Sequence, residues 1–234
     1  MNLLEDAELL RRYVGEKSEE AFAQLVQRHL APVYTVALRQ VGRDAHLAED
    51  VAQMVFTTLA RKAASLTGRP VLGGWLYRTT HFAARDVVRA ECRRRAREQV
   101  AEIVNDLPTG GSAEVDWEAL RRVLDQMMEE LRDADRDAVW LRFFEERSFA
   151  EIGAKLRLTE NAARMRVERA LEKLHAALAR RGVRSTTAAL ATALAQQVST
   201  AAPAGLAASV TGAALAGAVA STLGVGLMAF MAKA

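Results

Sequence analysis

The sequence predicts an all-α protein: two small helical domains joined by a linker and followed by an Ala-rich, helical tail. Three observations carry this. Apolar residues recur at three-to-four spacing from Phe22 to Leu174. Ala, Leu, Arg and Glu dominate while aromatics make up only 6%, which favours helices over strands. A breaker-rich stretch, Asn105–Asp116 with Pro108, Gly110, Gly111 and Ser112, divides the chain. The 234 residues leave room for two small domains and not for several large ones. The expected division is 1–98, a linker 99–117, 118–183, and an extension 184–234.

In the first domain Ser18, followed by Glu19 and Glu20, starts a helix with acids at the positive end of its dipole. Phe22, Leu25, Val26, Leu30, Val33, Tyr34 and Leu38 form its apolar face, with Pro32 expected to kink or divide it. Gly42, Arg43 and Asp44 make a turn. Leu47, Val51, Val55 and Leu59 carry the next helix. Thr67–Pro70 with Gly73 and Gly74 reads as a loop. Trp75, Leu76, Thr79, Phe82, Ala83 and Val87 follow as a helix running into Arg93, Arg94, Arg95 and Arg97.

In the second domain Leu120, Val123, Leu124, Met127 and Leu131 mark a helix, and Val139, Leu141, Phe143 and Phe144 another. Ser148 and Glu151 match the S-x-x-E capping box, which fixes the start of a third. Ile152 and Leu156 point inward, and Gly153 sits where two helices approach closely. Leu158 plugs a short turn and Thr159 caps a second helix with Glu160 in its first turn. Ala163, Val167, Ala170, Leu171 and Leu174 form that helix's buried face. Two helices joined by a three-residue turn, the second rich in arginine, describe a helix-turn-helix.

Charge is distributed in blocks. Arg85–Arg97 holds six arginines and two acids, Glu114–Asp137 nine acids and four bases, and Glu160–Arg184 seven bases and three acids. Two basic blocks separated by an acidic one suggest two nucleic-acid contacts rather than one general affinity. Arg164, Arg166 and Arg169 can reach guanine edges or grip phosphate in a major groove. Trp75, Tyr77, His81 and Phe82 stand beside the basic helix that carries Arg85 and Arg89. Single-stranded bases stack on such aromatics, although Trp75 serves equally well as core.

Catalysis and metal binding find no support. The lone Cys92 makes neither an internal disulfide nor a thiolate cluster, the four histidines are scattered, and no phosphate-binding glycine loop occurs. No enzyme activity and no cofactor are expected. MNLLEDAELLRRY carries early acids and no continuous apolar core, unlike a secretion signal, so a reducing cytoplasmic location is expected.

Three segments in order resemble bacterial sigma factors. AEDVAQMVF (Ala48–Phe56) is similar to their polymerase-binding helix and GWLYRTTHFAARDVVRAECRRR (Gly74–Arg95) to the helix that reads and melts the minus-ten element. LRFFEERSFAEIGAKLRLTENAARMRVERALEKL (Leu141–Leu174) is similar to their minus-thirty-five reading domain. Order, spacing and the lack of further sigma domains resemble the extracytoplasmic-function class. The resemblance covers roughly residues 15 to 182.

The resemblance implies core polymerase docking, on the clamp helices, through Asp50, Gln53, Met54 and Phe56. It implies minus-ten recognition and melting by Trp75, Tyr77, Arg78, His81, Phe82, Arg85 and Arg89. It places minus-thirty-five contacts at Thr159, Glu160, Asn161, Arg164, Arg166 and Arg169. The implied partners are core RNA polymerase and promoter DNA, duplex and single-stranded, in a nucleoid-associated cytoplasmic protein. The chain departs from the family at Met54, where an acid is usual, at His81, usually Asn, at Arg157, usually a turn Gly, and at Ala163, usually larger. Arg157 fits the turn at modest cost if its φ is positive.

The tail lies outside the resemblance, with no charged residue between Arg184 and Lys233. Leu206–Met231 is long enough to span a bilayer, but Ala, Gly, Ser and Thr dominate it. A helical hairpin packed on the two domains, or on a partner, is favoured over a membrane anchor. Regulation is expected from a separate anti-sigma factor or from self-inhibition by this tail. The alternative function is a helix-turn-helix regulator that acts without being a polymerase subunit.

Overall fold

A computed structural model describes residues 5–99, 127–180, 186–195 and 201–231. All regular structure among the described residues is α-helical. In chain order the helices are α1 (Asp6–Glu16), α2 (Glu19–Gln40), α3 (Ala45–Leu66), α4 (Gly73–Gln99), α5 (Asp133–Phe143), α6 (Phe149–Leu156), α7 (Glu160–Arg180), α8 (Thr187–Ala195) and α9 (Leu206–Met231). Met127–Glu130 are helical as well. The expected linker, and the expected helical positions Leu120, Val123 and Leu124, lie outside the described residues.

Helix starts follow side-chain chemistry. The Ala21 amide donates to Ser18 Oγ at 3.2 Å, and the Leu47 amide to Asp44 Oδ1 at 3.1 Å. Gly42 and Arg43 take φ values of 70° and 65°, which folds α2 back onto α3 in a short turn. Of the two outcomes expected at Pro32, a kink or a division, division does not occur: α2 runs unbroken through it. Leu30, Val33 and Tyr34 around it are buried, so core packing holds the helix together despite the missing amide. Nor do Gly73 and Gly74 belong to the loop; they open α4.

α1–α4 surround one core built on Phe22, Leu25, Val51, Val55, Phe56, Leu59 and Leu76. Asp6 ties α1 to α2, accepting from Arg28 Nη1 at 2.6 Å and pairing with His29 Nε2 at 2.9 Å. Burial raises the Asp6 carboxyl, but the His29 and Arg28 contacts overcome it and hold the group down at about 2. A depressed carboxyl stabilises the fold above its unfolded value of 3.8, and the contribution is lost as pH falls toward 2. Asp6→Asn is expected to cost about 2 kcal/mol at pH 7, read by urea unfolding. Its difference from the parent should vanish near pH 2.

A second core joins Met127, Met128, Val139, Trp140, Ile152, Ala170 and Leu174 with Val36, Val71 and Tyr77 of the first domain. The two domains are therefore packed on each other. Among the described residues the tail is helical and packs on the two domains, but α8 and α9 settle apart rather than side by side as a hairpin. α8 places Leu190 and Leu194 in the second core, while α9 places Leu206, Val210 and Ala214 in the first, against α2 and α3. Small residues let α9 lie close: a Cβ on Gly217 would stand 3.1 Å from Thr57 Cγ2. Among the described residues no helix is long and apolar enough to cross a membrane.

Candidate nucleic-acid interface

The helix-turn-helix forms as its local sequence dictates. The Glu151 amide donates to Ser148 Oγ at 3.3 Å, and the Ser148 amide to Glu151 Oε2 at 2.8 Å, closing the capping box at the start of α6. Arg157 ends α6 in the left-handed region at φ 56°. A Cβ on Gly153 would approach Leu158 O at 2.8 Å, so the turn folds tightly back onto α6. The Ala162 amide then donates to Thr159 Oγ1 at 3.2 Å and starts α7.

Ala163, Val167, Ala170 and Leu174 are buried, which sets the rotation of α7 about its axis. At about 100° per residue, the face opposite them carries Asn161, Met165, Glu168 and Arg169, all exposed. Arg164 lies to one side, its guanidinium 5.3 Å from the Phe149 ring and 3.8 Å from Glu160. Arg166 lies on the other flank and is half-buried. Of the three expected arginines, only Arg169 stands on the outermost face. Met165 was missed by charge-based reasoning. It is an exposed large apolar side chain at 39%, and the helical period alone would have found it.

The minus-ten candidates on α4 divide into three groups. Trp75 is half-buried against the first core and acts as part of it. Phe82 lies beneath two cations, with the Arg78 and Arg85 guanidinium carbons 5.4 and 5.1 Å from its ring centroid. Arg85 and Arg89 are exposed. Tyr77 and His81, however, are buried at 1% and 6% beneath the second domain. Tyr77 meets Trp140 and Phe144 edge-on, at centroid distances of 5.9 and 5.7 Å. His81 Nε2 stands 2.9 Å from Glu129 Oε2. In this conformation neither faces a nucleic acid.

Ion pairs extend that contact. Arg69 Nη2 lies 3.1 Å from Asp133 Oδ2 and 3.7 Å from Asp137 Oδ2, and Arg78 Nη1 lies 3.5 Å from Asp133 Oδ1. Burial pushes the Asp137 carboxyl up to about 6 against the pull of Arg69. Arg69 Nε, His81 Nδ1 and Asp137 Oδ1 are buried without a hydrogen-bond partner.

Farther along α4 a groove of about 720 Å³ runs between α3 and α4. Asp50, Gln53, Met54, Thr57 and Arg61 line one wall, and Val87, Glu91 and Arg94 the other. Asp50, Gln53 and Met54 are exposed, Met54 at 43%. Phe56 is not available there: it is fully buried in the first core, because it falls on the inward side of α3 with Val55 and Leu59. Thr57 is both a wall of the groove and the residue against which Gly217 of α9 packs. The tail thus borders the groove.

Two family models match this chain: Sigma-70 region 2 over residues 25–97, and Sigma-70, region 4 over residues 121–174. Among curated proteins it is similar to the RNA polymerase sigma factor CarQ of Myxococcus xanthus. The two are 31% identical over 161 residues, covering 69% of this chain and 91% of CarQ. It is also similar to the ECF RNA polymerase sigma factor SigK of Mycobacterium sp. (strain KMS), at 30% over 157 residues, or 64% and 79% of the two chains. A solved structure of the sigma factor RpoE in complex with the anti-sigma factor NepR from Bartonella quintana aligns with 19% identity, 68% of this chain, 96% of that chain and a TM-score of 0.29.

Proposed function

The chain belongs to the RNA polymerase sigma factors, in the extracytoplasmic-function class, so it directs promoter-specific initiation by core polymerase; on that premise we propose how its residues divide the work. The observation that carries the proposal is a capped helix-turn-helix whose outermost face holds Asn161, Met165 and Arg169, in one chain with a basic, aromatic-bearing helix. In the major groove Arg169 suits guanine, Asn161 suits adenine, and Met165 offers an apolar contact to a thymine methyl. Arg164 and Arg166, on the flanks, grip phosphate and set register. Thr159 and Glu160 shape the helix start that approaches the backbone. Phe82, Arg85 and Arg89 engage the minus-ten strand, joined by Tyr77, Arg78 and His81 once the second domain has moved away.

Asp50, Gln53 and Met54, on the wall of the α3–α4 groove, meet core polymerase. Met54 makes this an apolar contact rather than a charge pair. α9 beside that groove, and α8 on the other domain, form a strap across both domains. Self-inhibition by the tail is therefore the regulation we favour over a separate anti-sigma factor, and the cytoplasm the location over a membrane.

Run-off transcription with purified core polymerase on a genomic promoter library tests this. Specific starts are expected only with the protein added, and roughly tenfold more of them after removal of 185–234, as expected when a covered competent state is released. No specific starts with either form, while duplex DNA is still bound, would sink the assignment of roles.

A further inference from the structure

Both family matches end by residue 174, yet α9 packs on the first domain, above all on α3. Leu206, Val210 and Ala214 are buried there, and Gly217 continues the same face of the helix. Leu206–Met231 carries no charged residue, so no ion pair holds α9 in its seat. Where it lands follows from the helical period. At about 100° per residue, Asp50, Gln53, Met54, Thr57 and Arg61 fall within an arc of about 100° on α3. Asp50, Gln53, Met54 and Arg61 are exposed. Thr57, inside that arc, is half-buried, and a Cβ on Gly217 would stand 3.1 Å from its Cγ2. We propose that α9 and core polymerase compete for this one face of α3, so that the tail inhibits by blocking docking. The inference rests on the reading of Asp50, Gln53 and Met54 as the polymerase-binding row.

Space makes the two occupants exclusive. A helix with its side chains is about 10–12 Å across, and packed helices lie with their axes about 8–10 Å apart. With α9 seated on Thr57, a polymerase element that reaches along the row from Met54 meets the tail. The seat is also light enough to be given up. Of the side chains that α9 buries, only Leu206 and Val210 are large, because Ala214 and Gly217 make up the rest of the stripe and bury little apolar surface. Met54 and Arg61 stay exposed beside it, which leaves polymerase a foothold from which to displace the tail.

The test locks and frees α9 in the full chain, with Cys92→Ser as background. Thr57→Cys and Gly217→Cys together place two thiols where a Cβ at 217 stands 3.1 Å from the side chain at 57, within reach of a disulfide. Affinity for core polymerase is read by competition with the labelled Cys92→Ser protein, first oxidised and then reduced. Oxidation is expected to weaken binding about tenfold or more, and reduction to restore it. Reversal by reduction separates a lock from misfolding. Gly217→Leu, which lifts α9 off Thr57, is expected to tighten binding about tenfold, as for a chain in which about one molecule in ten is open at rest.

A disulfide that does not form overturns the inference, as do oxidised and reduced forms that bind core polymerase alike. A Gly217→Leu chain that melts earlier but binds no tighter overturns it too, because α9 would then serve packing alone. The docking reading is judged separately by Met54→Ala. It stands if that change weakens binding while the disulfide does not, and both fall if no form binds core polymerase.

Discussion

Replacing Arg136 by alanine is expected to unfold the second domain. Arg136 is 1% exposed and its guanidinium is spent inside the protein. Nε donates to Met128 O at 2.9 Å, Nη2 to Glu129 O at 3.1 Å and to Leu131 O, and Nη1 to Asp133 Oδ1 at 2.8 Å. It therefore closes the carbonyl end of the helical segment Met127–Glu130 and fastens it to α5. Alanine leaves the carbonyls of Met128, Glu129 and Leu131 without this donor and opens a cavity beside Met128, while Asp133 keeps its pairs with Arg69 and Arg78. Leaving a buried carbonyl without its donor costs about 1–3 kcal/mol, and three together are a large share of a small domain's stability. Urea unfolding followed by circular dichroism should lose the second domain's share of the transition, and duplex DNA binding through α7 should go with it. Arg136→Lys keeps the charge but not the fork of donors, and should recover only part of the loss. A melt of Arg136→Ala matching the parent would refute this account of the domain.

Phe56→Ala and Met54→Ala should separate packing from docking on one helix. Phe56 is 0% exposed among Phe22, Leu25 and Leu59, so its truncation is expected to cost about 3–5 kcal/mol of stability. Met54, two residues earlier, is 43% exposed on the groove wall. Its truncation should leave stability within about 0.5 kcal/mol of the parent while weakening core polymerase binding by about 1–2 kcal/mol. Urea melts read the first quantity and competition with labelled parent for core polymerase reads the second. Equal stability losses at both positions would contradict the assignment of Phe56 to the core and Met54 to the docking face.

Much of the candidate site was legible in the amino-acid sequence because its chemistry is local. Ser148 reaches Glu151 within a single turn, so a capping box in the sequence is a capping box in the fold. Arg157 was expected to tolerate a positive φ and does so at 56°. Pro32 does not end its helix, since the propensity of a single residue is outweighed by its buried neighbours in the core. Phe56 was misplaced because a motif lists positions without saying which way each one faces. Met165 escaped notice for the opposite reason: a search for charge passes over an apolar residue on an exposed face.

What the sequence determined by itself was most of the helices, though not α1, the caps at Ser18, Ser148 and Thr159, the tight turn between α6 and α7, and the two basic blocks. Each depends on contacts a few residues long, whose energies do not wait for the rest of the chain. Only the tertiary structure decided that Tyr77 and His81 lie covered, that Arg69 and Arg78 face Asp133, and that α8 and α9 settle on different domains. These are meetings between surfaces far apart in sequence. Burial belongs to the pair of surfaces, not to either alone, so neither half of the chain encodes it without the other.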